Sequence, residues 1–220
     1  MGIKYTLYYY SFCPFSRKIM FLLNYLGKSA NLIEKQPWEL TTGDEIFTLN
    51  PTLELPVLYD NENKIPIVDS YIIADFLVDK SFYGENEFEA KRLIMFFEKN
   101  FYQSVSKFFI KERIFNFYRK EKINATKLKM AQDNLENYMG YIENILSTKM
   151  YVSSNDFTLA DITIACHFSI LDYFGEINWK KYQKTKLWYQ TIKSKPQFSV
   201  LLETKLNGIP PSKHYQLADF

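Results

Sequence analysis

The sequence predicts two architectures in series, an α/β domain followed by an all-helical domain. Three observations carry this. Residues 1–80 alternate strand-like and helix-like signals, residues 81–86 with Gly84 read as a linker, and beyond them every long segment repeats its apolar residues with helical period. The expected boundaries are an α/β domain at 1–80, a linker at 81–86, a helical domain at 87–207 and an extended tail at 208–220.

Residues 5–10 form a short apolar strand. Pro14 suits the first turn of a helix, where its missing N–H costs nothing, and Ile19, Leu22, Leu23 and Leu26 make that helix amphipathic up to Gly27. Residues 31–34 read as a second strand, and the polar stretch 38–44 leads into a short helix ending near Asn50-Pro51. Val57-Leu58-Tyr59 and residues 64–67 flank the polar turn Asp60-Asn61-Glu62-Asn63 and read as a hairpin. From Val68 the chain is helical again, with Ile72, Ile73, Phe76 and Leu77 expected on one face. The order is β-α-β-α-β-β-α. In the second domain Leu93, Phe97, Phe101, Val105 and Phe108 form one helical stripe, and Leu128, Leu135, Met139, Ile142 and Leu146 form another. Residues 159–174 and 179–195 supply two further helices.

Composition narrows the function. The 220 residues are 47% hydrophobic and 24% charged, ordinary values for a globular chain, and a net charge of +2 gives no reason to expect nucleic acid or an anionic membrane as partner. The basic stretch at 111–129 is broken by Glu112 and Glu121, as on a solvated helix face. Cys13 and Cys166, with His167 and His214, match no zinc-ligand spacing, and Cys166 reads as a core residue. The cysteine usage suits a reducing cytoplasm. No apolar stretch approaches the roughly 18 residues of a membrane span, and no signal peptide is expected. Met1-Gly2 with Thr6 fits a crude myristoylation pattern, which is set aside because residues 4–10 read as a core strand.

Ser11-Phe12-Cys13-Pro14-Phe15-Ser16-Arg17-Lys18 carries the chemistry. It joins the first strand to the first helix and so places Cys13 beside the unpaired N–H groups and positive end of that helix. A thiolate is stabilised there, and Arg17 and Lys18 are expected to help, bringing the thiol below its ordinary pKa of about 8.5. Asp69-Ser70 opens the helix after the hairpin, where both are good N-caps. Phe157-Thr158-Leu159-Ala160-Asp161-Ile162 is a capping-box variant with a Phe157–Ile162 staple.

In this order the pieces resemble the cytosolic glutathione transferases, across essentially the whole chain. The resemblance implies a thioredoxin-like domain, a helical bundle, a symmetric homodimer and glutathione as co-substrate. Two readings of the first motif stay open. Cys13-Pro14-Phe15-Ser16 is similar to omega-class transferases, with Cys13 forming a mixed disulfide. Ser11-Phe12-Cys13 is similar to zeta-like transferases, with Ser11 activating the glutathione thiol. The resemblance further implies a cis Pro56 in Glu54-Leu55-Pro56-Val57, with the Leu55 backbone pairing with glutathione, while Asp69 and Ser70 hold its γ-glutamyl end. The second substrate would be a small electrophile or a disulfide.

The end of the chain, with Pro210-Pro211, His214-Tyr215 and Asp219-Phe220, is not part of that pattern. Together with Cys-Pro-Phe-Ser-Arg-Lys, it resembles alphaproteobacterial transferase-like proteins that bind the division tubulin homologue FtsZ. That resemblance implies a non-catalytic binding protein whose tail, biased by two prolines toward extended backbone, docks on the filament through His214, Tyr215 and Phe220. Packing of the tail along its own domain is the alternative. As a docking element it is expected to contribute little to the core.

Overall fold

The computed structural model describes residues 3–220; Met1 and Gly2, and with them the myristoylation pattern, lie outside the described residues. The chain divides into two compact units, Met1–Asp79 and Lys80–Phe220.

The first unit is a four-stranded mixed sheet in the order β2-β1-β3-β4, built from β1 (Tyr5–Tyr9), β2 (Ala30–Glu34), β3 (Val57–Asp60) and β4 (Ile65–Val68). β1 runs parallel to β2 and antiparallel to β3, and β3–β4 is the expected hairpin, its turn held by Asp60 Oδ1 accepting from Glu62 N and Asn63 N. Between these strands lie α1 (Pro14–Tyr25) and α2 (Glu45–Leu49), with α3 (Ser70–Leu77) after β4. This is the thioredoxin-like domain. Alternation along β1 turns Leu7 and Tyr8 to opposite faces; Tyr8 packs with Ile46 of α2 and with Val57. On α3 the expected face is corrected. Ile73, Ala74 and Leu77 are buried, but Ile72 and Phe76 are 52% and 47% exposed. One sheet buries only one stripe of a short helix, and the i, i+4 pair 72/76 falls beside that stripe.

The second unit is all helical. After a 3₁₀ turn (Lys80–Tyr83), α4 (Glu87–Met95) runs unbroken into a π segment (Phe96–Ser106), α5 (Lys107–Ile110), a second π segment (Lys111–Phe115) and α6 (Asn116–Arg119). The π turns alter the expected stripe. Its buried members are Leu93, Phe97, Phe101, Val105 and Phe109, four apart throughout, and Phe108 is only half-buried. An i→i+5 turn holds more than 3.6 residues, so a strict spacing of four stays on one face. Then follow α7 (Ala125–Ile145), α8 (Leu159–Phe174), α9 (Gln183–Lys193), a 3₁₀ turn (Pro196–Phe198) and α10 (Ser199–Leu202). The helix expected from residue 179 begins at Gln183. The Trp179 indole N–H instead donates to Asp172, 2.9 Å away, and Glu143 of α7 accepts from the first-turn amides of Lys184 and Thr185. Among the described residues no helix is long and apolar enough to cross a membrane.

α8 is buried along almost its whole length, and its charged residues are satisfied inside. Asp161 is fully buried and closes the capping box: its carboxylate accepts from Thr158 N and Oγ1 at 2.9 Å, from Val152 N at 3.0 Å and from the Trp188 indole at 2.9 Å. Burial pushes its carboxyl pKa up from the ordinary value, against the pull of those hydrogen bonds. Phe157 meets Tyr151 edge to face.

Asp161→Ala is expected to leave several buried donors unpaired at about 1–3 kcal/mol each, a total loss of at least about 3 kcal/mol. Urea unfolding reads this directly. An unchanged midpoint would show that the carboxylate is dispensable.

Candidate functional site

The chain leaves β1 at Tyr9 and reaches the first turn of α1 within four residues. Cys13 is the N-cap, in extended conformation; its N–H donates to Tyr10 O at 3.0 Å, and its carbonyl accepts from Arg17 N at 2.9 Å. Pro14 takes the first helical position. Cys13 is half-buried, and its thiol lies 3.8 Å from the carbonyl oxygen of Leu55, within the looser limit for a sulfur contact. Leu55 precedes a cis peptide bond to Pro56, one residue before β3 begins. The structure thus brings Cys13, Leu55 and Pro56 together.

Ser11 points elsewhere. Its side chain is buried, and both its N–H and its hydroxyl donate to Glu34 Oε1, the former at 3.2 Å. Its carbonyl accepts from Arg17 Nε at 2.7 Å. Arg17 and Lys18 were expected to help stabilise the thiolate; both are buried and engaged elsewhere. The Arg17 guanidinium lies on the Phe12 ring, 4.6 Å from its centroid, and Lys18 Nζ donates to the Ser70 hydroxyl at 3.2 Å. A helix packed against a sheet by a broad face takes these positions inward, and each cation then finds an acceptor there.

Asp69 caps α3. Its exposed carboxylate accepts from Tyr71 N at 2.7 Å and Ile72 N at 3.4 Å, and its backbone sits at φ 70°, a conformation that favours glycine and costs other residues about 1–3 kcal/mol. Ser70 is buried beside it.

Glu34 was read only as the end of a strand. The parallel pairing of β1 with β2 sets Tyr9 opposite Glu34, so a polar residue there reaches the loop leaving β1. That register was the available signal. Next to it Lys35 Nζ is shared between Asp44 at 3.2 Å and Glu45 at 3.1 Å. Ile46 N and Lys35 hold the Asp44 carboxyl below its ordinary range.

The tail, for which an extended docking element and packing along its own domain were both open, is seated on its own unit. Tyr215 is fully buried, with its hydroxyl donating to Leu201 O at 2.8 Å. His214 Nε2 lies 2.8 Å from Asp172 Oδ1, and the Phe220 ring stacks on His214 at 5.0 Å. Tail and unit thus share a core, with Asp172 of α8 also contacted by His214 of the tail.

Residues 12–80 match the glutathione S-transferase N-terminal domain, and residues 108–205 match the C-terminal domain. The chain belongs to the glutathione S-transferase family. It is 29% identical to FtsZ-localized protein A of Caulobacter vibrioides, with all of both chains covered, and 25% identical to glutathione S-transferase D7 of Drosophila melanogaster, covering 95% of this chain and 92% of the relative. Among solved structures, a glutathione S-transferase from Sinorhizobium meliloti superposes with a TM-score of 0.90 at 28% identity, covering 99% of this chain and 100% of that one. FzlA from C. crescentus gives 0.89 at 28% identity with the same coverage.

Iodoacetamide is expected to modify Cys13 in the folded protein and to spare Cys166, which is 1% exposed. The pH midpoint should fall below about 8.5, with Cys13→Ser as control. A folded protein inert to the reagent up to about pH 9 would remove Cys13 as a nucleophile.

Proposed function

We propose that this chain is a binding protein built on the transferase fold, acting in the cytoplasm on filaments of the division protein FtsZ. The observation that carries this reading is the end-to-end match to FtsZ-localized protein A, tail included. Side-chain geometry around Cys13 agrees with it. Glutathione brings two carboxylates and an amine, and the residues near Cys13 suit its thiol end. Its carboxylates, however, find Arg17, Lys18 and Lys35 already engaged with Ser11, Ser70 and the Asp44–Glu45 pair. The Ser11 hydroxyl is likewise given to Glu34.

A second reading is favoured by one feature, the partial exposure of Cys13 at the N-terminus of α1 beside Leu55. In it, Leu55, Pro56, Asp69 and Ser70 would hold glutathione, and Cys13 would act in thiol transfer to a disulfide. Ser11 would be the activating residue if the reaction were conjugation to an electrophile. We also propose a symmetric homodimer. Exposed Ile65, Ile72 and Phe76 on the first unit support it as apolar surface for a second copy to cover, and sedimentation velocity would test it.

The intact protein is expected to pellet with polymerised FtsZ and to stay in solution without it, while calorimetric titration with millimolar glutathione gives no binding heat. Failure to pellet would overturn the filament reading. Glutathione binding without pelleting would transfer the assignment to the thiol-transfer reading.

A further inference from the structure

We propose that the corner between α6 and α7 is a second binding site, which takes an acidic peptide segment carrying one apolar side chain. The site stands apart from the filament and thiol-transfer readings.

In the sequence Glu112 and Glu121 interrupt the basic stretch at 111–129. Folding removes the first of them. Glu112 is 2% exposed, and its carboxylate accepts from Asn116 Nδ2 at 2.7 Å and from Asn124 N at 2.8 Å. One buried carboxylate thus ties the start of α6 to the N-cap of α7. The corner is closed further by Glu121 N donating to Asn116 O at 2.8 Å, with Lys120 in the left-handed region at φ 56°. On this braced corner Arg119, Lys120, Lys122, Lys127 and Lys129 are all exposed, and none makes an ion pair among the described residues. Between 119 and 129 only Glu121 opposes them. The chain as a whole carries +2, so the excess of positive charge is local.

Lys120 stands both among these cations and in the lining of a cleft of about 490 Å³. Phe117, Ile123, Ile209 and Pro210 make the cleft apolar, and Glu121 is its carboxylate. Arg113 lines it too, but its guanidinium is taken by Glu176 at 2.7 Å. The wall at 208–210 is fixed before any ligand arrives. The Tyr118 hydroxyl donates to Asn207 O at 2.9 Å, and the Tyr173 hydroxyl donates to Ile209 O at 2.6 Å. Gly208 is required there: at φ 77° a Cβ would come within 3.0 Å of the Phe117 ring. A preformed cleft leaves little ordering to be done on binding.

The shape selects among anions. A lipid surface takes apolar side chains that stand out from the protein, whereas Phe117 and Ile123 line a concavity. A nucleic acid strand wants an unbroken cationic track and open aromatic faces, whereas Glu121 interrupts the track and the Phe117 ring lies against Gly208. An acidic peptide wants a pocket for one side chain and cations beside it. The corner offers both, with room for a leucine or phenylalanine and cations placed for the carboxylates around it.

Fluorescence anisotropy of the full chain tests this, with a fluorescein-labelled peptide of one leucine within a run of aspartates as the probe. Binding is expected, and serine in place of that leucine should weaken it about fivefold. The Lys120→Glu, Lys122→Glu double variant is expected to lose at least about tenfold in affinity, and Ile123→Ser about fivefold. Glu121→Gln is expected to tighten binding about threefold, which a purely structural role would not do. All these side chains are exposed, so melting temperatures should stay at the wild-type value. No binding of the peptide, equal binding by the charge-reversed variant, or indifference to the leucine would each overturn the proposal. Binding of phosphatidylglycerol vesicles or of an oligothymidylate in place of the peptide would overturn it too and give the corner to that anion. FtsZ is absent from the assay, so each outcome leaves the filament reading as it was.

Discussion

The second unit depends on how α8 disposes of two buried carboxylates. Asp161 and Asp172 lie three helical turns apart and so share a face. A carboxylate without water must find donors, and the interior turns of a helix have none to spare. Apart from the Thr158 cap, which serves Asp161, the donors come from elsewhere in the fold. Trp188 on α9 serves Asp161; Trp179, Tyr189 and Lys193, from α9 and the segment before it, serve Asp172. The relation of α9 to α8 is therefore fixed by directional bonds at both ends, where apolar packing alone would tolerate a slide. The His214 contact extends the same requirement to the tail.

The first unit solves a comparable problem around its chemical motif. The loop from β1 to α1 is held from several sides at once: Glu34 accepts from Ser11, Arg17 donates to the Ser11 carbonyl, and Ser16 Oγ accepts from Tyr10 N at 3.2 Å. Each bond fixes the loop and also uses a group that a polar ligand would need. Cys13 is presented on a stiff base, within reach of Leu55, while nearby charges are spent on the scaffold. Such a base suits a surface of defined shape as well as it suits a nucleophile.

Legibility in the sequence follows the range of the interaction. Pro14 after Cys13, Asp69 before the helix it caps, the four-residue polar turn at 60–63 and the Thr158–Asp161 box all act within a few residues, and all could be read. The π turns could not, because a phenylalanine-rich stretch fits spacings of three and four alike until a widened turn selects one. Trp179 carries helix signals of its own but is drawn out of the helix by Asp172, a partner seven residues away that belongs to another element. Glu34 needed the strand register before its role was visible. The tail stayed undecided for the same reason: two prolines state a local preference, whereas Tyr215 and Ser212 are placed by carbonyls on α8 and α10.

These facts bear on how one fold comes to serve binding as well as catalysis. A fold fixes elements and leaves function to particular side chains. In this chain Ser11, Lys18 and Lys35 are taken up in bonds within the first unit. The tail moves the opposite way, since a segment that contributes buried anchors to its own unit still carries exposed groups on its outer side. An extended peptide loses much entropy when a partner orders it, and a seated one has already lost it in folding. Anchoring the tail on Asp172 therefore fixes its outer side in one shape, and the buried ion pair beneath it is the physical means by which the chain does so.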